Sequence, residues 1–255
     1  MIAITLAAGM GTRMEDLCRD KPKIMIEFLE KSLLQRQTDL FNDQKIPHYL
    51  VCGHQKGAIH FPESHLRENK KFSTTNMVYS LLCAKDVFKE NDDIIISYGD
   101  IIFQKDVLKK LLDEDKGDIQ VCADKNFLSL WSVRMNNPHE DLESFCVDES
   151  SGYIVEIGKK LQNNSSPQAQ YIGLFKIKAH FVSQFNALYE QLLKEDINNQ
   201  RLAMTHFLQK LIDKNAKLKP VYIHGGWLEF DTKRDFDTYT LMHHHGNLEK
   251  YYVDR

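Results

Sequence analysis

The sequence predicts an α/β fold in which a mostly parallel sheet is flanked by helices. Short apolar runs alternate with segments of helical periodicity along the first half of the chain, which is the pattern of strand–helix–strand units. Several runs are apolar at nearly every position, as expected for strands covered on both faces. After residue 124 the alternation gives way to short strand-like pieces. We therefore expect a small antiparallel insertion, at about residues 125–175, within a single domain spanning 1–255.

The individual elements are predicted from periodicity and from the turn residues that bound them. The strands lie at residues 2–6, 48–52, 93–98, 118–123, 171–177 and 220–231. The helices lie at residues 32–42, 76–88, 105–113, 179–194, 201–214 and 233–248. Ser32 is the expected N-cap of the first helix. Within the insertion, strand-like pieces are expected at 130–135, 144–148 and 153–158, with a turn at "SSG" and a loop at 161–168.

The composition is that of an ordinary globular protein. The 255 residues carry a formal net charge of −3, and 42% are hydrophobic and 27% charged. A general nucleic-acid binder would show a basic surface, so no nucleic-acid partner is expected. No apolar run approaches the length of a membrane span, and the N-terminal "MIAITLAAG" lacks the basic region and cleavage site of a signal peptide. Five scattered cysteines without a Cys-x-x-Cys pair indicate reduced thiols and a cytoplasmic location.

A glycine-rich loop follows the first strand and ends in an arginine. The stretch "LAAGMGTR" spans residues 6–13, and in open parallel sheets ligands bind at the carboxyl ends of strands. Gly9 and Gly11 let backbone amides approach a phosphate, and Arg13 adds a planar cation that matches phosphate oxygens. Met14 stands where a dinucleotide-binding loop needs glycine, and no Walker A sequence follows. The two glycines alone are equally compatible with a tight turn that carries a surface arginine.

A lysine held by a proline comes shortly after this loop. In "RDKPKIMIEF" at 19–28, Pro22 fixes the backbone beside Lys23 and so directs the lysine side chain. Together, "LAAGMGTRM" and "KPK" resemble the signature of the nucleotidyltransferases that join a nucleotide to a phosphorylated small molecule. These include sugar-1-phosphate uridylyl- and thymidylyltransferases and small-molecule cytidylyltransferases. The resemblance implies a Rossmann-like fold of the nucleotide-diphospho-sugar transferase type.

The resemblance also implies roles for the residues of the two motifs. Lys23 and Arg13 would be catalytic, and the loop would bind the nucleotide through Leu6, Ala7, Ala8, Gly9, Met10, Gly11 and Thr12. Lys21 departs from many members, which carry an uncharged residue before the proline. It is interpreted either as an additional phosphate contact or as a surface charge.

Two later segments extend the resemblance and favour its CTP-dependent branch. "LVCGHQ" at 50–55 matches the second strand and the following loop of the family, and "TTNMVYSL" at 74–81 resembles the branch that uses CTP with phosphocholine or aminoethylphosphonate. These segments add five residues to the predicted nucleotide site: Gly53, His54, Thr75, Asn76 and Ser80. An asparagine offers a donor and an acceptor to a cytosine edge, but Asn76 is also a suitable N-cap for the helix that begins there. His54 suits a base contact and a solvated loop equally.

Two aspartates at strand ends predict a metal site. Asp100 follows the apolar strand in "ISYGDIIF", and Asp231 follows the strand-like "WLEF". Two carboxylates that converge on a sheet edge suit Mg²⁺, and both positions match the pair that holds Mg²⁺ in the family. Taken singly, Asp100 would be a turn residue and Asp231 a helix N-cap. The consecutive histidines at 243–245 point in different directions on a helix and are expected at the surface.

The sequence leaves the acceptor open. Its pocket is predicted to be lined by Tyr171, Trp227 and Glu229. With Trp131, the two aromatic residues would form either a box for a quaternary ammonium group or packing in the core. An acidic or amino-acid acceptor would instead be met by Lys125, Arg134 and Lys159. Enzymes that cytidylylate phosphoglutamine for capsular phosphoramidate synthesis are also similar to this chain, so phosphoglutamine, phosphocholine and aminoethylphosphonate are all candidates.

The resemblance as a whole predicts a cytidylyltransferase. It would transfer CMP from CTP to a phosphorylated or phosphonate acceptor, release pyrophosphate and serve cell-surface or capsule modification. CTP, the acceptor and Mg²⁺ are its expected partners, and a homodimer is expected from the relatives. Two alternatives stay open: a sugar-1-phosphate nucleotidyltransferase using UTP or dTTP, and a non-catalytic nucleotide-sensing domain.

Overall fold

The computed structural model describes residues 1–89, 91–161 and 166–254. The strands are β1 (Ile2–Ala7), β2 (Glu27–Phe28), β3 (Lys31–Ser32), β4 (His48–Cys52), β5 (Leu66–Glu68), β6 (Ile94–Tyr98), β7 (Ile101–Phe103), β8 (Ile119–Asp124), β9 (Glu143–Val147), β10 (Ile154–Lys160), β11 (Gln170–Ile177), β12 (Leu218–Ile223) and β13 (Trp227–Glu229). The helices are α1 (Leu33–Asp43), α2 (Met77–Leu82), α3 (Lys105–Asp113), α4 (Phe127–Arg134), α5 (Val182–Glu195), α6 (Met204–Asp213) and α7 (Lys233–His244).

Seven strands form a central sheet in the order β12–β8–β11–β6–β1–β4–β5. β1 pairs in parallel with β4 and β6, β4 pairs in parallel with β5, and β12 pairs in parallel with β8. β11 runs antiparallel to both of its neighbours, β6 and β8. The other strands of the sheet therefore share one direction, which confirms the predicted mostly parallel α/β architecture.

An apolar cluster covers each face of the central sheet. Successive side chains of a strand point to opposite faces, so one strand contributes to both clusters. In β1, Ile4 and Leu6 belong to one apolar cluster and Ala3 to the other. Helices α1, α3, α4 and α7 contribute to the cluster of Ala3, and α2, α5 and α6 contribute to the cluster of Ile4. The first helix begins as predicted, because the Ser32 hydroxyl accepts a hydrogen bond from the amide of Gln35 at 3.0 Å.

Three small antiparallel pairs accompany the central sheet. β9 and β10 form the hairpin expected around the "SSG" turn, and β13 pairs with β7. This second pair matters for the site, because β7 follows Asp100 and β13 precedes Asp231. The third pair joins β2 to β3.

The structure corrects part of the predicted insertion. Residues 130–135 were expected to form a strand, but they lie largely in α4. The buried residues of α4 occupy one helical face, at i, i+3, i+4 and i+7: Phe127, Leu130, Trp131 and Arg134. The prediction was wrong because residues 130–135 alternate between apolar and polar side chains, which is the period expected of a strand. β11, the strand predicted at 171–177, belongs to the central sheet although it overlaps the expected bounds of the insertion, about 125–175.

Other differences concern boundaries. The strand-like segment 220–231 divides into β12 and β13 around Gly225 and Gly226, which both have φ of 79°. The helix predicted over 76–88 is shorter, since α2 ends at Leu82. Residues 162–165 of the predicted loop at 161–168 lie outside the described residues. Among the described helices, none has the length and apolar composition needed to cross a membrane.

Candidate active site

A cleft of about 290 Å³ opens at the carboxyl end of β1. It is lined by Leu6, Ala7, Ala8, Gly9, Met10, Gly11, Thr12, Arg13, Lys23, Ile24, Phe72, Thr75, Asn76, Met77, Ser80, Gly99, Asp100 and Asp231. Most of these residues were predicted from the sequence, although they come from five separate segments of the chain. Ile24, Phe72, Met77 and Gly99 were missed, since apolar and glycine linings carry no chemical signal in a sequence.

The glycines of the first loop have two different physical roles. Gly11 has a φ of 63°, in the left-handed region, and a Cβ there would lie 3.0 Å from Cys18 Sγ. Gly9 has no protein atom within 4 Å of an added Cβ, although it lines the cleft. Gly11 is therefore needed for the turn itself. Gly9 leaves space in the cleft of the kind that a phosphate needs for close approach to backbone amides.

Gly53 and His54 lie behind this loop and do not line the cleft. The amide of His54 donates a hydrogen bond to the carbonyl of Ala8 at 3.1 Å. A Cβ at Gly53 would lie 2.8 Å from that same carbonyl oxygen and 2.8 Å from Phe72 Cβ. They support the loop from outside the cleft lining, and their contact with the nucleotide stays a prediction.

Lys23 lies at the base of the cleft between two carboxylates. Its Nζ is 3.2 Å from Asp100 Oδ2 and 3.5 Å from Asp231 Oδ1, and its side chain is 15% exposed. Burial lowers the pKa of Lys23, but the charges of Asp100 and Asp231 raise it by more, so the pKa lies above its usual value. Lys23 is therefore a cation throughout the neutral pH range.

Arg13 pairs with one of these two carboxylates, that of Asp231. Its NH1 lies 2.5 Å from Asp231 Oδ2, and its side chain is 68% exposed. An exposed guanidinium beside an open cleft can exchange this partner for a phosphate at small cost.

The two carboxylates fit a divalent cation. Asp100 Oδ1 is buried and has no hydrogen-bond partner among the described residues, and a buried acceptor in that state is costly unless a ligand supplies the partner. The described part of the chain contains no group of three or more His, Cys, Asp or Glu side chains that could hold a metal ion. Two carboxylates suffice for Mg²⁺ in phosphoryl-transfer sites, because phosphate oxygens and water complete its shell.

A buried polar cluster holds Asp231 in position. Asp235 Oδ2 accepts hydrogen bonds from the amides of Asp231 and Thr232, at 3.0 and 2.7 Å. Asp235 Oδ1 accepts from Arg134 Nε at 3.1 Å, and Arg134 NH1 lies 2.5 Å from Glu229 Oε2. Burial raises the pKa of Glu229, and the charge of Arg134 opposes this shift. The role of Glu229 in acceptor binding stays a prediction, whereas Arg134 is buried and paired with both Glu229 and Asp235.

Thr75, Asn76 and Ser80 line the far side of the cleft. The Asn76 side chain accepts a hydrogen bond from the amide of Met77 at 2.8 Å, so it is the N-cap of α2 as well as a lining residue. Asn69, which is 1% exposed, donates to Thr75 Oγ1 and to Ser80 Oγ, both at 2.9 Å. Asn69 thereby orients both hydroxyls. Asn69 was not predicted as a site residue, because an asparagine between a strand and a turn has no distinctive signature.

The aromatic box is not formed. Trp227 is 1% exposed, and its Nε1 donates to Asp124 Oδ2 at 2.9 Å. Trp131 is 3% exposed and packs against Trp227 with ring centroids 5.9 Å apart. Tyr171 packs edge-on against Tyr98 at 5.7 Å, and its hydroxyl is buried. The assignment of Trp227 to an acceptor pocket is corrected to a core position, and none of these aromatic side chains lines the cleft.

The remaining charged candidates lie apart from the cleft. Lys125 Nζ stacks over the Tyr222 ring at 4.4 Å, and Lys159 pairs with Glu156 on the β9–β10 hairpin. Lys21 does not line the cleft, which favours its interpretation as a surface charge. His243, His244 and His245 are exposed at the C-terminal end of α7, away from the cleft lining, as expected.

Comparisons with known proteins agree with this geometry. Residues 3–150 match the family model described as the MobA-like NTP transferase domain. The CTP:phosphoglutamine cytidylyltransferase of Campylobacter jejuni subsp. jejuni is 37% identical over 251 residues, which cover 93% of this chain and 98% of that protein.

Solved structures of similar fold have lower sequence identity. The inositol-1-phosphate CTP transferase from T. maritima has a TM-score of 0.70 at 20% identity, and the match covers 99% of this chain and 97% of that one. The CTP:phosphocholine cytidylyltransferase LicC from Streptococcus pneumoniae has a TM-score of 0.69 at 18% identity, covering 92% and 96%. These structures confirm the predicted fold, and the relatives are the kind that the motifs predicted. The chain belongs to the MobA-like NTP transferase domain family.

Proposed function

We propose that this protein is a cytidylyltransferase that transfers CMP from CTP to a phosphorylated small molecule and releases pyrophosphate. The observation that carries the proposal is the convergence of a glycine loop, two cations and two carboxylates in one cleft. The 37% identity to a CTP:phosphoglutamine cytidylyltransferase over nearly its whole length supports the same reaction.

The chemical step is an in-line substitution at phosphorus. An acceptor phosphate oxygen forms a bond to the α-phosphorus of CTP, while the bond from that phosphorus to the bridging oxygen breaks. The bonding electron pair leaves with pyrophosphate, and no general base is needed because the acceptor is already an anion near neutral pH. The protein's task is therefore to position the reactants and to stabilise charge.

We assign roles to the residues that line the cleft. The amides of residues 8–12 and the guanidinium of Arg13 would hold the β- and γ-phosphates. Lys23, at the base of the cleft, would stabilise the charge that develops on the α-phosphate. Thr75, Asn76 and Ser80 would face the cytidine.

Asp100 and Asp231 would hold Mg²⁺ when the nucleotide is bound. The bound ion would supply charge neutralisation at the phosphates, which is the usual contribution of Mg²⁺ to phosphoryl transfer. Lys23 pairs with both of these carboxylates, and Arg13 pairs with Asp231. We therefore infer that the two cations move toward the phosphates as the nucleotide enters.

We propose phosphoglutamine as the acceptor. The relative of that name covers almost the entire chain, and Trp131 and Trp227 are buried, so these two residues do not form the box once expected for choline. Glu229, whose side chain is 25% exposed beside Lys23 and Asp231, would face the acceptor. Its carboxylate suits an amino group. The product would serve cell-surface or capsule modification, and unpaired thiols at all five cysteines support a cytoplasmic reaction.

A substrate panel tests the proposal. The protein is incubated with Mg²⁺ and each of CTP, UTP, ATP and GTP against phosphoglutamine, phosphocholine, aminoethylphosphonate and glucose-1-phosphate, with pyrophosphate release as the readout. We expect release with CTP and phosphoglutamine. Release with CTP and another non-sugar acceptor would overturn the acceptor assignment alone. Release only with UTP or a sugar phosphate would overturn the reaction, and nucleotide binding without any release would favour a sensing domain.

A further inference from the structure

We propose that Gln37 of α1 is the positioning residue for Asp100, acting from inside the core on the turn that carries this carboxylate. The inference rests on the proposed function only in assigning Mg²⁺ to Asp100. Gln37 does not line the cleft and would not touch a substrate, so it is a positioning residue and not a catalytic one.

The side-chain amide of Gln37 holds the turn between β6 and β7 from the core side. Gln37 Nε2 donates hydrogen bonds to the carbonyl of Tyr98 and to the carbonyl of Ile101, both at 2.8 Å. These carbonyls belong to the last residue of β6 and the first residue of β7. Only Gly99 and Asp100 lie between them, so a single side chain clamps both ends of the turn.

The orientation of the Gln37 amide is fixed by a second set of contacts. Gln37 Oε1 accepts a hydrogen bond from Thr5 Oγ1 at 2.7 Å, and Thr5 Oγ1 lies 2.8 Å from His48 Nε2. A hydroxyl has one proton, so Thr5 donates to Gln37 and accepts from His48, whose proton is on Nε2. Burial lowers the pKa of His48 to about 3, so this arrangement persists unchanged across neutral pH.

All three members of this network are inaccessible to water. Thr5 and Gln37 are 0% exposed and His48 is 3% exposed. Buried polar groups are costly unless hydrogen-bonded. Apolar side chains would pack there without that requirement, and this polar chain leads directly to the turn of Asp100.

The turn has little freedom on its cleft side. The amide of Gly99 donates to the carbonyl of Leu6 at 2.9 Å, and a Cβ at Gly99 would lie 2.8 Å from Ala7 Cβ. The carbonyl of Asp100 accepts from the amide of Phe230 at 2.8 Å. Gln37 completes this frame from the core, and the frame sets where the carboxylate of Asp100 stands relative to Asp231 and Lys23.

Residues that hold a metal ligand in place affect how tightly the site binds its metal, although they do not touch the metal themselves. Removing such a partner typically weakens metal binding by roughly 10- to 100-fold. A displaced Asp100 would still pair with Lys23, since a flexible lysine follows its partner. We therefore expect the loss of Gln37 to weaken the response to Mg²⁺ and to leave metal-free nucleotide binding unchanged.

The test compares Gln37→Met with Gln120→Met. Gln120 is an apt control because it is also 0% exposed, and its Nε2 also donates to two turn carbonyls, those of Lys116 and Gly117, at 2.8 and 3.2 Å. That turn precedes β8, at the edge of the sheet opposite the cleft. Two readouts are used on the intact protein: backbone hydrogen exchange over residues 97–103 without metal, and the Mg²⁺ concentration that gives half-maximal CTP binding.

For Gln37→Met we expect faster exchange over residues 97–103 and a Mg²⁺ requirement raised roughly tenfold, with CTP binding in EDTA unchanged. For Gln120→Met we expect neither change. A folded Gln37→Met protein with wild-type exchange and wild-type Mg²⁺ response would overturn the proposal. If Gln37→Met does not fold, Thr5→Val removes the hydroxyl that orients the amide, and the same two shifts, smaller in size, are required of it.

The two proposals fail in different ways. If wild-type protein binds CTP without any response to Mg²⁺, the metal role of Asp100 in the proposed function is wrong. The exchange comparison still decides whether Gln37 holds the turn, since it uses neither metal nor substrate. If the wild type responds to Mg²⁺ and Gln37→Met responds in the same way, the positioning role of Gln37 is overturned and the proposed function is not.

Discussion

At the scale of single residues, we propose that Lys23 decides whether the cleft performs chemistry or only binding. Its ammonium lies between Asp100 and Asp231 and would become available to a phosphate if a metal ion bound those carboxylates. We predict that Lys23→Ala loses about 3–4 kcal/mol of transition-state stabilisation, the scale of a lost oxyanion-hole donor. The measurement is the rate of pyrophosphate release at saturating CTP and acceptor.

Lys21→Ala is the matched control for this prediction. Lys21 is two positions away and carries the same charge, but it does not line the cleft. It should retain nearly the wild-type rate. Equal losses in the two variants would mean that the segment contributes through general charge and not through Lys23 itself.

Gly9 tests the binding role of the loop separately from its folding role. An added Cβ meets no protein atom within 4 Å, so Gly9→Ala should change the free energy of unfolding by less than about 0.5 kcal/mol. The methyl group would occupy space that we assign to the phosphates, and CTP binding should weaken roughly tenfold or more. Calorimetric titration with CTP and thermal unfolding measure the two effects.

Gly57→Ala provides the comparison for Gly9→Ala. Gly57 also has open space around an added Cβ, but it lies outside the cleft lining. It should leave both stability and CTP binding unchanged. If Gly9→Ala bound CTP as tightly as the wild type, the phosphates would have to lie elsewhere.

Motif residues were predictable one by one, whereas supporting residues were not. Gly9, Arg13, Lys23, Asp100 and Asp231 each stand in a recognisable local sequence, and the parallel sheet brings them to one edge. Asn69 and Gln37 act through partners that are close only after folding. For Gln37 these are 61 and 64 residues away, so no local pattern could reveal them.

At the scale of elements, the N-terminus of α7 contributes both to the stability of the fold and to the position of Asp231. Asp235 is 2% exposed and forms a capping box with Thr232. It also neutralises the buried Arg134. We predict that Asp235→Ala destabilises the fold by about 3–5 kcal/mol, because it leaves a buried guanidinium short of a partner. Chemical denaturation measures the change in the free energy of unfolding.

Asp237→Ala is the control on the same helix. Asp237 pairs with Lys233 across one turn at the surface, and exposed pairs of this kind contribute little. Its loss should cost less than about 1 kcal/mol. A similar small cost for Asp235→Ala would show that solvent or a neighbouring group replaces the buried carboxylate.

The turn of the β9–β10 hairpin makes the stability of the folded protein depend on pH through Asp148. Asp148 Oδ2 accepts hydrogen bonds from the amide of Ser151 at 2.9 Å and from the hydroxyl of Ser150 at 2.7 Å, and these bonds lower the pKa of Asp148 from 3.8 to about 2. Because the pKa of Asp148 is lower in the folded protein, its ionised carboxylate stabilises the folded state. This stabilisation is present above about pH 3.8 and is lost as the pH falls toward 2.

The carboxyl chemical shift of Asp148 in an acid titration measures this effect. We expect a midpoint near 2, and we expect Ser150→Ala to move it upward because one donor is lost. A wild-type midpoint at 3.8 or above would show that these hydrogen bonds do not form in solution.

Element prediction succeeded where one physical signal dominated. β4 and α3 have the predicted bounds, His48–Cys52 and Lys105–Asp113, because an apolar run and a clear helical face leave no alternative. α4 was predicted as a strand, because its short sequence satisfies both periods and only packing against α7 decides between them. The division of 220–231 depended on two consecutive glycines with positive φ, which the apolar residues around them concealed.

At the scale of the whole molecule, the strand order explains why distant segments share one cleft. β1 lies between β4 and β6 with all three in parallel, so the loops after β1 and β6 leave the same edge of the sheet. β13 pairs with β7 and carries Asp231 to that edge. The alternation of strands and helices predicted this edge, but not the central antiparallel position of β11. The expected homodimer stays a prediction.

The most direct test of the account follows the nucleotide through the reaction. The protein is incubated with Mg²⁺, phosphoglutamine and CTP radiolabelled at the α-phosphate, and the products are separated. We predict that the label appears in a CMP–phosphoglutamine adduct in equal amount to released pyrophosphate, and that Lys23→Ala greatly slows its appearance. Label that remains in CTP with every phosphorylated acceptor, or that appears only as free CMP, would contradict the proposed transfer.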